Sequence, residues 1–316
     1  MQLDLFNSIY IVYNKAIKAL LNLDADSARC LLRDWEAKAR ANRDLTIEWR
    51  LIDFLSRGDV KRAMDSAPEE ALRYWDEMME GEYRKSPLPE GIIAQVRRRY
   101  FQVLSKKVMR KAQKGQGQVD TPVVLCCLRA GLYKEVVRLG KAALKASPTN
   151  SRIIGYVADA YWELKERALA KSYYLRGLLE DPYCIDTNEV RCPEMSRLLS
   201  EPILVLEEAF GETMDLDGKC SVEWAAAVGL LFGLFNVPTL SDQKSIKSLW
   251  ERLRSNDVTI PEGIRFAIWM ILSEQGMDLL SRNDISLGEA RAAMKALNPQ
   301  LFNIYMRQKD TGSLAC

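Results

Sequence analysis

The sequence contains no histidine in 316 residues. Histidine is the general base of Ser-His-Asp and Cys-His sites and the commonest metal ligand, so its absence excludes those catalytic designs and most zinc sites. The glycine-rich phosphate-binding patterns GxxxxGK[ST] and GxGxxG are also missing. Carboxylate, lysine and tyrosine side chains remain for acid–base chemistry. We therefore expect a protein that is not an enzyme and that holds no cofactor and no metal ion.

Long hydrophobic runs are also missing. The most apolar stretch, Trp224 to Phe235, has 12 residues, whereas a membrane-spanning helix needs about 20, so we interpret this stretch as a buried helix. The first residues lack the positive segment of a signal peptide, and Lys15 and Lys18 interrupt their apolar face. The seven cysteines are odd in number and scattered, which is typical of free thiols in a reducing compartment. We expect a soluble, cytoplasmic protein with no membrane contact.

Apolar residues recur at three- and four-residue spacing along most of the chain, and strand-like alternation is hard to find. Ser66 with Glu69 and Ser286 with Glu289 form capping boxes. The fold class predicted is all-α, with short connections that favour antiparallel helix hairpins. The predicted helices span residues 8–23, 26–42, 46–57, 68–80, 90–113, 121–130, 133–146, 151–164, 167–180, 194–210, 221–235, 241–254, 261–281 and 286–308.

A repeat of 34 residues joins 117–150 to 151–184. When the sequence is aligned with itself at this spacing, Pro148 matches Pro182, Val123 matches Val157, Cys127 matches Tyr161 and Gly140 matches Tyr174. Small residues such as Ala158 and Gly177 let two helices approach closely, and large ones fill the gaps beside them. The pattern resembles the tetratricopeptide repeat (TPR), a helix–turn–helix unit that ends near a proline. The alternative is a non-repeating helical bundle in which the spacing is a coincidence.

The resemblance implies a TPR-like α-solenoid with irregular flanking helices. We predict three regions: an N-terminal helical region with degenerate repeat-like hairpins (1–114), two TPR-like repeats (115–184) and a C-terminal helical region (185–316). The first helices of the family line a concave groove that receives a peptide or helix of another protein, and Trp162 with Arg152 is a candidate binding hot spot. The groove-side candidates are Arg152, Gly155, Asp159, Trp162 and Glu163 in the second copy, and Leu125, Leu128 and Arg129 in the first.

A basic segment precedes the repeats. Residues 97–114 hold eight basic side chains and no acidic one, and Arg99, Lys106, Arg110 and Lys114 fall on one helix face. Such a stripe is a candidate anion-binding surface for the phosphates of nucleic acid or of acidic lipid, mostly without sequence preference. The alternative is that the acidic stretch 65–82 neutralises it, or that water solvates it.

These patterns support two hypotheses about function. The first is a protein–protein interaction scaffold or assembly factor that binds a partner peptide or helix on a TPR-like concave surface. The second is a nucleic-acid-associated regulatory protein that uses the basic helix 97–114. A second copy of the chain is a further candidate partner, because solenoid ends without polar caps leave a face to be covered. The apolar helix 225–235 is one such surface, and burial in the core is its alternative.

Overall fold

A computed structural model describes residues 2–39, 43–66, 68–79, 91–113, 120–210, 222–236, 251–253, 260–274 and 286–310. Every regular element within these ranges is a helix, which confirms the predicted all-α class. The chain divides into two compact units, Met1–Leu139 and Gly140–Cys316. The three predicted regions, 1–114, 115–184 and 185–316, do not coincide with these units. In the part of the chain that is described, no helix is long and apolar enough to cross a membrane.

The first unit is built from successive helices that pack on their neighbours in the chain. The longest helix, α6, also contacts α1, α3, α4 and α7, so it forms the centre of this unit. The elements are α1 (Gln2–Leu21), α2 (Ala25–Lys38), α3 (Thr46–Ser56), α4 (Gly58–Ser66), α5 (Pro68–Met79), α6 (Ile92–Gln113) and α7 (Thr121–Arg129), followed by the start of α8 (Tyr133–Ala146).

Four aromatic rings form the core of the first unit. Phe54, Trp75, Tyr100 and Phe101 pack with ring centroids between 5.1 and 5.8 Å apart, and edge-to-face or tilted pairs of this kind contribute about 0.5–1.5 kcal/mol each beyond burial. The Tyr100 hydroxyl donates to the carbonyl of Ala71 at 3.2 Å, which satisfies its polar atom. The apolar face of α6 predicted from the sequence is therefore buried, and its charged face is left outside.

The second unit continues with shorter helices around two central ones. Helix α10 contacts α9, α13 and α14, while α13 contacts α11, α12, α14 and α16. The elements are α9 (Ser151–Glu163), α10 (Arg167–Glu180), a 3-10 turn (Pro182–Cys184), α11 (Pro193–Ser200), α12 (Pro202–Phe210), a 3-10 turn (Val222–Trp224), α13 (Ala225–Leu231), α14 (Glu262–Glu274), α15 (Leu287–Leu297) and α16 (Pro299–Asp310).

Helix α13 holds most of the most apolar stretch of the sequence. All of its residues from Ala225 to Leu231 are buried, as expected for a short helix that is hydrophobic on every side. The prediction of a buried helix is confirmed. Neighbouring helices of its own unit cover α13, so this part of 225–235 offers no exposed surface, whereas Phe232 of the same stretch is exposed. Self-association of the chain stays a prediction.

Proline sets helix boundaries that the hydrophobic period does not reveal. The predicted single helices 194–210 and 286–308 are wrong, since each is split where the backbone leaves the helical conformation, at Glu201 and at Asn298. A proline follows directly in both cases, and it disfavours the helical conformation of the residue before it. The capping box of Ser286 with Glu289 is confirmed, whereas the serine side chain of the other predicted box lies outside the described residues. The predicted helix 241–254 also lies outside them, except for residues 251–253, which are helical.

One type of turn joins three of the helix pairs. Its central residue has a positive φ angle, at Leu23 (60°), Gly131 (73°) and Lys165 (67°). The next residue donates its N–H to the carbonyl five positions back, at 3.0 Å in each turn, and this bond defines the Schellman ending of a helix. The turns at Gly131 and Lys165 are 34 residues apart, and the helix ends around them keep that spacing, at residues 129 and 163, 133 and 167, and 146 and 180.

Candidate functional site

Helix α9 is the element on which most predicted binding residues lie. Its N-terminus is capped by Asn150, whose side-chain oxygen accepts from the N–H of Ile153 at 3.1 Å. Every residue from Ile153 to Tyr161 is buried. The predicted groove-side positions Gly155 and Asp159 are therefore covered, and the expectation of an open surface along α9 is wrong for this part of the helix.

Residues 182–192, which we name the strap, lie against α9 and α10. Buried residues recur every three or four positions along the strap, at Pro182, Ile185, Glu189 and Cys192. The Ile185 side chain packs between two glycines. A Cβ added at Gly155 or at Gly177 would lie 3.6 or 3.4 Å from it. The two glycines thus form a slot, one wall on each helix, that receives this branched side chain.

Hydrogen bonds hold the strap on both sides of Ile185. The Tyr156 hydroxyl donates to Oδ2 of Asp186 at 3.0 Å. Further along, the N–H of Arg191 donates to Oδ1 of Asp159 at 2.7 Å. The Tyr174 hydroxyl donates to the same oxygen at 2.5 Å. One carboxylate therefore connects α9, α10 and the strap.

The surroundings of Asp159 explain why it does not serve as a surface residue. The side chain is 1% exposed, and its burial raises the pKa to about 7, against the hydrogen bonds from Tyr174 and Arg191, which lower it. Burial, followed by the charge of Asp159, raises the pKa of Tyr174 well above its ordinary range. Glu189 of the strap is also 1% exposed and lies 3.6 Å from the Arg191 guanidinium. This arrangement can hold a segment in place, and no step of catalysis follows from it.

Three predicted binding residues of α9 remain at least partly accessible. Arg152 is exposed, while Trp162 and Glu163 are half-buried. Arg152 and Trp162 are ten residues apart, which is about 15 Å along a helix axis, so they do not form one hot spot. The cation beside Trp162 is instead Arg167, whose guanidinium carbon lies 3.4 Å from the centre of the indole ring.

The first repeat copy places its candidates in the interior of the first unit. Leu125 and Leu128 are buried, and Arg129 is 8% exposed. The Arg129 guanidinium contacts both carboxylate oxygens of Asp76, at 2.8 and 3.3 Å, and lies over the ring of Phe101. Its assignment to a partner-binding surface is therefore wrong, because a bidentate ion pair between α7 and α5 already engages the side chain.

The basic helix is partly neutralised. Lys107 of α6 forms an ion pair with Asp65, as the acidic stretch 65–82 led us to consider. Of the candidate anion-binding residues, Lys106 and Arg110 are exposed and Arg99 is half-buried. Lys114 lies outside the described residues. Two cations one helical turn apart thus remain on the open face of α6.

Thiols and carboxylates do not assemble into a metal centre in the described ranges, where no group of three or more such side chains is placed to hold an ion. The described cysteines are free: Cys30, Cys126, Cys127, Cys184 and Cys192. Burial raises the pKa of Cys127 to about 12, and that of Cys192 to about 12 as well. A raised pKa keeps a thiol protonated and unreactive at neutral pH.

Two parts of this site were not predicted: the strap and the pairing of Trp162 with Arg167. The predicted boundary between the second and third regions falls inside the strap, after residue 184. A signal was nevertheless present, because the buried strap positions 182, 185, 189 and 192 follow a three- and four-residue spacing. Arg167 lies five residues after Trp162, a separation that brings side chains together only across a tight turn.

No protein-family model matches the chain. No curated protein and no solved structure matches it significantly.

Proposed function

We propose that this chain is a non-enzymatic, cytoplasmic scaffold or assembly factor that binds another protein on a TPR-like helical surface. The observation that carries the proposal is the recurrence of one turn, with the same φ sign and the same hydrogen bonds, at Gly131 and Lys165, 34 residues apart. Repeated hairpins of this length stack because one unit cannot bury its own apolar face. The free thiols of the described cysteines are compatible with a reducing compartment.

The binding residues we assign are Trp162 and Arg167. Tryptophan and arginine are the residue types that most often dominate the energy of an interface. Here the guanidinium stacks on the indole at 3.4 Å, which orients both side chains before a partner arrives and so reduces the entropy lost on binding. Half-burial fixes Trp162 while one part of its surface remains accessible.

Trp162→Ala is expected to weaken capture of a partner by about 30-fold, as removal of a hot-spot residue worth about 2 kcal/mol does. Arg167→Ala is expected to act in the same direction. Arg152→Ala is the matched control, because it removes an exposed arginine from the other end of the same helix. The measurement is quantitative affinity purification from the native source, followed by titration of each recovered protein against the three variants. A partner set and affinities that do not change in Trp162→Ala and Arg167→Ala would contradict the proposal.

A second candidate function is binding of nucleic-acid phosphates by α6. The observation that favours it is the exposure of Lys106 and Arg110 on a helix without a single acidic residue. Phosphate contacts of this kind are independent of sequence and weaken steeply with salt.

Reversal of both charges, Lys106→Glu with Arg110→Glu, is expected under this second proposal to abolish binding of a DNA or RNA oligonucleotide at low salt. Reversal of one of them should lower the slope of log K against log salt by about one. Lys134→Glu, on another exposed position of the first unit, is the control for net charge. Oligonucleotide titrations by fluorescence anisotropy at several salt concentrations measure the effect. Equal losses in the control and in the α6 variants would assign the binding to net charge and remove α6 from consideration.

A further inference from the structure

We infer that the slot beneath the strap is an acceptor site for an acidic segment of a partner protein in which a branched apolar residue directly precedes a carboxylate. The strap, residues 182–192, fills this site until the partner segment replaces it. The inference rests on the proposed function and names the chemistry of the partner. Ile185 and Asp186 of the strap show which two side chains the site accepts.

The shape of the slot selects the apolar residue. Gly155 of α9 and Gly177 of α10 face Ile185 from two sides, and a Cβ on either would lie in van der Waals contact with it, at 3.6 or 3.4 Å. Ile185 is 5% exposed there, although it belongs to a segment without regular helix. Because neither helix carries a side chain beyond Cα at these two positions, one branched apolar side chain fills the space between them, and the two walls of this space belong to the helices.

The polar groups of α9 select the residue that follows. The Tyr156 hydroxyl points to the strap and donates to Asp186 at 3.0 Å, and Asp159 accepts from the main-chain N–H of Arg191 at 2.7 Å. If the strap left and nothing replaced it, the Tyr156 hydroxyl and the Asp159 carboxylate would lose these partners in a site that water reaches only in part. Unpaired polar groups of this kind are unfavourable. A segment that offers a carboxylate and a main-chain N–H at the same places exchanges with the strap at little cost. The site therefore discriminates by hydrogen bonds that the incoming chain must supply.

Charge favours the same kind of occupant. The strap holds Asp186 and Glu189 against Arg191, while α10 carries Arg167, Lys171 and Arg176 against Glu180. Opposite net charges of this kind steer a negative segment toward the helix. The middle of the strap, Thr187 and Asn188, is exposed, so the strap is attached by separate anchors and can detach without unfolding the helices below it.

The test uses a fluorescent synthetic peptide with the sequence of residues 181–193, its two cysteines replaced by serine, and the full-length chain. Ile185→Asp in the chain removes the main anchor of the strap, and Asp186→Ala removes the acceptor for the Tyr156 hydroxyl and for the N–H of Asn188 within the strap. The rate at which iodoacetamide labels Cys192 measures the opening of the strap, because Cys192 is 1% exposed in the closed chain. The rate at the exposed Cys184 is the reference. Circular dichroism checks that each variant keeps the helix content of the wild type.

We expect Cys192 to label faster in both variants, and the peptide to bind them at least about tenfold more tightly than it binds the wild type, whose slot is filled. A control peptide that carries Ile185→Asp is expected to bind none of the three proteins. If Ile185→Asp loses helix content, Asp186→Ala decides by the same criteria.

Four results overturn the inference. The first is a strap that stays closed to Cys192 labelling in every folded variant. The second is an open strap that binds no peptide, and the third is equal binding of both peptides or of the peptide to wild type and variants. The fourth is a variant that dimerises and is dispersed by the peptide, because the occupant would then be the strap of a second copy. The assay needs no partner protein, so it can fail or succeed independently of the Trp162→Ala capture experiment.

Discussion

Gly263→Ala is expected to lower the free energy of unfolding by about 3 kcal/mol, the cost of overpacking a site that cannot relax. Gly263 lies in the first turn of α14, where its backbone passes close to the 3-10 turn Val222–Trp224. A Cβ at this position would lie 2.5 Å from the carbonyl oxygen of Glu223 and 2.8 Å from the Cα of Trp224. All of these atoms belong to the main chain, so no rotation of a side chain relieves the overlap.

The sign of this effect makes the experiment decisive. Alanine is favoured over glycine in a helix by about 1 kcal/mol, so helix propensity alone predicts stabilisation. Gly288→Ala is the matched control, because the nearest atom to its added Cβ is 3.7 Å away, and it is expected to be neutral or stabilising by up to about 1 kcal/mol. Urea titration of both variants, followed by far-ultraviolet circular dichroism, measures the difference. Equal midpoints for the two variants would show that the contact at Gly263 does not limit packing.

Asp159→Asn is expected to gain stability relative to the wild type as the pH rises from about 4 to about 7. Burial holds the pKa of Asp159 at about 7 in the folded chain, against an ordinary value of 3.8. In this window the unfolded chain releases a proton that the folded chain retains, so the stability that comes from this group is full below about pH 4 and is lost as the pH rises through about 7. Asparagine stays neutral and still offers an oxygen to Tyr174 and to the N–H of Arg191.

The difference in the free energy of unfolding between Asp159→Asn and the wild type is expected to change by an amount on the order of 3 kcal/mol over this pH range, since each pKa unit corresponds to about 1.36 kcal/mol. Denaturant titrations at a series of pH values measure it. Asp59→Asn provides a contrast of opposite sign, because the hydrogen bond from Arg57 holds the pKa of Asp59 below its ordinary value, so its contribution is lost as the pH falls. Parallel pH profiles for wild type and Asp159→Asn would mean that the carboxylate is ionised at every pH studied.

Local signals predict much of this fold. Helices α8 and α10 begin and end at the residues predicted for them, 133–146 and 167–180, because a tight turn precedes each helix and a proline follows two residues after its end. Interactions within a few residues decide such ends, and a single sequence contains them. The same reasoning missed α4, which begins at Gly58 directly after α3. No helix was predicted between 57 and 68, whereas the packing of α4 on α3 and α5 stabilises one there.

The candidate site was less predictable, because its burial depends on residues far apart in the sequence. Asp159 and Trp162 share one helix and one hydropathy pattern, yet Asp159 is 1% exposed and Trp162 is half-buried. The difference comes from the strap, whose Arg191 meets Asp159 across 32 positions. A helical period tells which residues share a face, and it does not tell what covers that face. Arg129 was misassigned for the same reason, since its partner Asp76 is 53 positions away.

The turn shared by Leu23, Gly131 and Lys165 has a consequence for the detection of distant relatives. Leucine and lysine adopt the left-handed conformation at a cost of roughly 1–2 kcal/mol, which the packing of the two adjoining helices offsets. The backbone of the hairpin is therefore specified by its helices, and glycine occupies this position in one of the three turns. A search pattern that demands glycine would recognise only the hairpin at residue 131. A pattern built on helix lengths and on the spacing of the turns would instead recognise the hairpins at residues 131 and 165 together.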